Sequence, residues 1–167
     1  MKRAIFILLL IFALLLTSCG ESVNMGVLTE YQNGDFSAEL KIRLGTGEYR
    51  ALLVKRGERL TLSVKEPSAL AAYEFALENG SLSIITGGAE IPLAAGELFL
   101  LESVFALFSV PVAGTWKIER SRPGGVSIYV CECEGITLYI DANSRLPLKI
   151  VSGKAEADVL FFKALAR

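Results

Sequence analysis

Cys131 and Cys133, two positions apart, are the most reactive side chains at a defined spacing beyond the first nineteen residues. On an extended chain, side chains at i and i+2 share a face with Cα atoms about 6.6 Å apart, at the upper edge of disulfide geometry. Two readings stand side by side: a strained or redox-active disulfide, and a pair of reduced structural thiols. A metal site would need two further ligands, and the sequence contains no histidine. The same absence removes the commonest general base and the middle member of a hydrolytic triad. Glu97 with Glu102 and Glu132 with Glu134 are carboxylate pairs of the kind acid–base catalysis uses, but no second feature accompanies them, and they read as solvated or capping side chains. No phosphate-cradling glycine loop and no Gly-x-Ser-x-Gly occurs. Neither an enzyme nor a metal or cofactor is expected.

The third cysteine, Cys19, has a different setting. Lys2 and Arg3 precede an unbroken apolar run, Ala4 to Leu16, that ends in Leu16-Thr17-Ser18-Cys19. A basic start, an apolar stretch within ~7–15 residues and a small residue before the cut make an export signal. The run is too short for a membrane span, which takes ~20 apolar residues. Its ending resembles the lipobox of bacterial lipoproteins. That resemblance implies that the Cys19 sulfur receives a diacylglycerol, that cleavage follows Ser18, and that the protein is held on the outer face of the cell membrane. The plainer reading is a signal peptide cut near Ser18 with Cys19 incidental. Residues 1–18 are therefore assigned to the signal, 19–35 to a tether containing at most a short helix, and 36–167 to one folded domain. Losing Lys2 and Arg3 with the leader leaves 15 of the 17 basic residues against 18 acidic ones. Such a balance argues against a nucleic-acid partner and leaves membrane attachment to the lipid.

What positions the remaining residues is a succession of short strands. Phe36, Ala38, Leu40, Ile42 and Leu44 alternate with Ser37, Glu39, Lys41 and Arg43, which is the period of a half-buried strand. Gly45-Thr46-Gly47 turns the chain into a second strand, Glu48 to Lys55, and Arg56-Gly57-Glu58 into a third, Arg59 to Lys65. Pro67 stops it, Ser68 to Ala72 forms one helical turn, and Asn79-Gly80 joins Tyr73–Glu78 to Ser81–Thr86 in the strongest hairpin signal of the chain. Glu90 to Leu93 adds a short strand. From Glu97 to Phe108 the residues are mostly bulky and apolar with neither Gly nor Pro, which predicts a helix of about three turns needing cover over most of its circumference. Strands follow at Thr115–Arg120, Val126–Cys133, Ile136–Asp141, Leu148–Val151 and Ala155–Phe162. The expected fold class is α+β, mainly antiparallel β: a curved half-barrel sheet covered by one main apolar helix plus short helical turns.

From Phe36 to Phe162 this order of elements, with Leu138-Tyr139-Ile140-Asp141 and then Leu146-Pro147-Leu148-Lys149-Ile150, is similar to the lipoprotein-carrier-like (LolA/LolB-like) family. Lipidated Gram-positive relatives, including sporulation and germination lipoproteins, look closest in size and order. The resemblance implies an apolar space between sheet and helix that holds acyl chains. Lining residues would be Phe36, Leu40, Ile42, Leu53, Leu62 and Val64 from the sheet and Leu98 and Phe105 from the helix, with Trp116, the single tryptophan, as a further wall and reporter. The carriers' interior arginine has no counterpart, because Arg43 falls on the polar side of its strand. The expected function is binding of a lipid, an acyl chain or a lipidated partner. The rival is a structural lipoprotein of the cell envelope or spore that acts through contacts with another envelope protein.

Overall fold

The computed structural model describes residues 23–93, 104, 105, 108, 109, 114–153 and 155–166. Alternation builds the first strand as expected. In β1 (Phe36–Leu44), Phe36, Ala38, Leu40 and Ile42 are all but fully buried, while the residues between them face outward. Strands β2 (Gly47–Arg56) and β3 (Arg59–Glu66) continue the meander, followed by β4 (Glu74–Glu78), β5 (Ser81–Thr86) and β6 (Ala89–Pro92). Asn79 and Gly80 both take positive φ, 49° and 76°, which is what a two-residue hairpin demands of that pair. The second half consists of β7 (Lys117–Ser121), β8 (Ile128–Cys133), β9 (Ile136–Asp141), β10 (Pro147–Ser152) and β11 (Ala155–Ala164).

Among the described residues these strands form one curved antiparallel sheet in the order β6-β5-β4-β3-β2-β1-β11-β10-β9-β8-β7. The first and last strands therefore meet in its middle. Their register is held on the outer face by charge: Arg43 bonds to Glu156 at 2.8 Å and to Asp158, and Lys149 of β10 reaches Glu156 as well. The Lys149 ammonium and the Arg43 guanidinium hold the Glu156 carboxyl below the usual carboxylate range. Three bulges interrupt the ladders, with Leu160 extra in β11 opposite Glu39 and Leu40, Lys65 extra in β3 opposite Arg50 and Ala51, and Leu148 extra in β10 opposite Tyr139 and Ile140. A bulge bends its strand and re-aims the side chains beyond it. Ala155, Ala157 and Val159 are thereby in step with Phe162 opposite Ala38, while Phe161 is left outside, 55% exposed.

The expected helix is where sequence and structure part. Of Glu97 to Phe108, only Val104, Phe105 and Phe108 are described, and the rest lies outside the described residues. Val104 and Phe105 are helical, Phe108 sits in a turn, and all three are buried. Among the described residues no long apolar helix covers the sheet, so the α+β assignment is corrected to an all-antiparallel sheet with short helical turns. A segment apolar at nearly every position has no 3.6-residue period, so pattern alone cannot separate a helix from an irregular buried stretch. A four-residue helix, α1 (Met25–Leu28), contributes to the inner face instead. Asn24 caps it, its Oδ1 accepting from the Val27 N–H at 3.1 Å, and the Thr29 hydroxyl donates to the Met25 carbonyl at 2.7 Å. Met25 and Leu28, one turn apart, point into the core, where they join Phe36, Phe105 and Phe108.

Candidate functional site

Where α1 faces the β7 edge the packing leaves a broad, open-mouthed cavity of about 420 Å³. One wall is the chain from Val23 to Gly26, and the other is Gly114, Trp116 and Ile118. Ile118 lies opposite Cys131 in the β7–β8 register, and Trp116, two residues earlier, falls on the same side. Gly114 is required here on two counts. Its φ is +140°, and a Cβ on it would stand 3.2 Å from the Cys133 sulfur, so the main chain crosses directly over that thiol.

The two cysteines lie next to this wall, Cys131 beside Ile118 and Cys133 against Gly114, and both thiols are free. Cys131 is fully buried, and desolvation pushes its thiol up to about 11. It stays protonated at neutral pH and is a poor nucleophile. Partly buried Tyr31 packs edge-on against Phe36 and Phe162, with ring centroids 6.3 and 5.8 Å away. Its hydroxyl accepts a bond from the Gln32 amide at 3.2 Å, and burial raises the phenol to about 12. The described groups lining the cavity are apolar side chains, the Asn24 amide and the main chain of two glycines, an arrangement suited to holding a ligand.

The structure brings most of the expected lining together, but as packed core. Phe36, Leu40, Ile42, Leu53, Leu62 and Phe105 belong to one buried cluster, and Val64 is buried beside them at 6% exposure. Of the eight expected lining residues that are described, Trp116 alone borders the cavity, while Leu40 borders a separate depression on the outer face. Leu98, Glu97, Glu102 and Cys19 lie outside the described residues. Glu132 and Glu134 are exposed. Sequence reading missed Val23, Met25, Gly114 and Ile118. The one signal for them was Asn24, a capping residue ahead of Met25 and Leu28 at helical spacing.

The outer depression is smaller, about 200 Å³, and lies between the bulges at Leu160 and Lys65. Leu52 and Leu160 supply its apolar surface over the buried Leu40 and Ala51, with Glu39, Arg50, Lys65 and Glu66 around it. Leu160 and Phe161 next to it are about half exposed.

No family model matches the chain, and no curated protein matches it in sequence. Among solved structures it is similar to an uncharacterised conserved protein from Thermus thermophilus, with 12% identity and a TM-score of 0.59 over 86% of each chain. It is also similar to MucB, with 14% identity and a TM-score of 0.54 over 85% of this chain and 57% of MucB. The chain therefore spans little more than half of MucB's length. A LolA superfamily protein from Nitrosomonas europaea aligns at 10% identity over 87% of this chain and 96% of its own, at a TM-score of 0.43, too loose a likeness to bear on the fold. At these identities the first two likenesses establish a shared fold.

Proposed function

We propose that this chain is an extracytoplasmic lipoprotein, anchored on the outer face of the cell membrane through a diacylglyceryl group on Cys19, that binds an acyl chain of a lipid or lipidated partner. The observation that carries this reading is the cavity between Val23–Gly26 and β7. Its volume falls within the ~300–1,000 Å³ of small-molecule sites, and Val23, Met25, Trp116 and Ile118 give it apolar walls. Burial of apolar surface at ~25 cal/mol per Å² drives such binding without directional chemistry. The filled core beneath, from Phe36 to Leu62, serves as a rigid backing that keeps the opening at the end of the sheet. The leader, with its basic start and lipobox-like ending, supports the anchor.

The test is mass spectrometry of protein purified without harsh detergent, paired with titration of a fluorescent fatty acid while Trp116 emission is followed. Co-purified lipid or saturable binding is expected. A blank in both experiments would remove the ligand.

A second reading is favoured by the outer face. Leu160 and Phe161 expose adjoining apolar surface beside the depression between the bulges, which suits contact with another envelope protein. Crosslinking from position 160 would then capture one specific partner, and Phe161→Ser would abolish the capture.

A further inference from the structure

The place where the chain enters the fold fixes how the domain sits on its membrane. This step rests on the anchor proposed above. Val23 borders the cavity, and the next residues are already part of the packed structure: Asn24 caps α1, and Met25 and Leu28 are buried at 5% and 0% exposure. Three residues separate Val23 from Cys19. Four Cα–Cα steps, even fully extended, reach at most about 14 Å. The headgroup layer into which a diacylglycerol on Cys19 would be set is itself ~5–8 Å deep on each side of the bilayer. The domain therefore has no leash on which to stand off or turn over, and the end of the sheet bearing α1 and β7 is the end drawn down to the lipid.

The chemistry of that end agrees. Trp116 is the kind of side chain that settles at a membrane–water boundary, and Val23, Met25 and Ile118 beside it are apolar. Toward the opposite end of the strand order, Arg59 of β3 pairs with Glu78 of β4 at 2.7 Å and with Glu90 of β6 at 3.0 Å. That solvated ion cluster belongs in water. We propose that the α1–β7 end lies against the bilayer, so that the cavity opens onto the leaflet that carries the anchor. Its occupant is an acyl chain of a phospholipid in that leaflet, transferred without crossing water.

The experiment uses the full lipidated chain in phosphatidylcholine vesicles with and without brominated acyl chains, reading the emission of Trp116, the single tryptophan. Emission shifted to shorter wavelength and quenched in the brominated vesicles is expected. A Trp116→Phe chain carrying Ile91→Trp on β6 moves the reporter to the far end, and there no quenching is expected. Equal quenching at both positions, or none at position 116, would overturn the proposal, and an occupant drawn from the protein's own unbrominated anchor would give the second result. The anchor is tested separately. Because the sequence has no histidine, a histidine tag in place of residues 1–19 holds the chain to vesicles bearing a nickel-chelating lipid. Quenching of Trp116 there, together with a Cys19 that proves unmodified in the full chain recovered from cells, would sustain the orientation and discard the lipid anchor.

Discussion

Phe36 and Phe162 stack with ring centroids 5.0 Å apart and planes inclined by 27°. One ring comes from the first strand and the other from the last. The bulge at Leu160 is what allows it, because it puts Phe162 in step with Ala38 on the inner face while Phe161 points out.

Phe36→Ala is expected to destabilise the fold by about 3–5 kcal/mol, the cost of emptying a buried phenyl site that cannot collapse. Phe161→Ser, one residue from the stacked ring but on the outer face, is expected to stay within ~0.5 kcal/mol. Urea unfolding of the two variants checks this. Comparable losses would mean that the inner and outer assignments around the bulge are reversed.

Thiol labelling at about pH 8 is expected to modify Cys133 well before Cys131, whose buried thiol is pushed up to about 11. Unfolding should equalise them. Faster labelling of Cys131 in the native protein would contradict its burial.

Stability should fall as the solution is made alkaline. A raised folded pKa means that the native protein keeps a proton which the unfolded chain has already lost, so the contribution is complete below the unfolded value and disappears as pH rises through the folded one. For Cys131 that window runs from 9.0 to about 11, and for Tyr31 from 10.0 to about 12. The loss assigned to the thiol is roughly 2–3 kcal/mol. Urea midpoints measured in reductant across this range should fall, and Cys131→Ala should remove the earlier part of the decline. A flat profile would show that neither group is desolvated.

Ile118→Glu places a carboxylate in the cavity wall and should weaken fatty-acid binding at least about tenfold, equivalent to ~1.4 kcal/mol. Fluorescence titration reads the effect. Unchanged affinity would move the ligand elsewhere.

Cys19→Ser should release the protein from the membrane fraction, since each buried acyl CH₂ contributes ~0.8 kcal/mol to anchoring. Fractionation together with incorporation of labelled palmitate tests it. A variant that stays membrane-bound would leave the leader or the cavity face as the attachment.

The strands were legible because their inner residues repeat every second position and glycine-containing turns separate them. Phe36 to Leu44 and Ser81 to Thr86 begin and end where the sequence places them. The bulge at Leu160 was not legible, because nothing in Val159-Leu160-Phe161-Phe162 tells which apolar residue is extra until β1 supplies the register. The helix expected at Glu97 to Phe108 rested on composition without a period. By contrast, α1 was allowed for only as at most a short helix within 19–35, because four residues carry little pattern, and Met25 and Leu28 are placed by what they pack against. The cavity was hidden for a related reason: its walls come from stretches far apart in the chain, Val23–Gly26 and Gly114–Ile118, that only the finished sheet brings face to face.

The central placement of β1 and β11 has one more consequence. Strands β1 to β6 and β7 to β11 each run in sequence order, so either fan can assemble from local hairpins, but joining them pairs Phe36 with Ala164 across nearly the whole domain. Closing so long a loop is entropically expensive and slow. The strand made last is the keystone of the arch, and clipping it would split the protein down the centre instead of shaving its border.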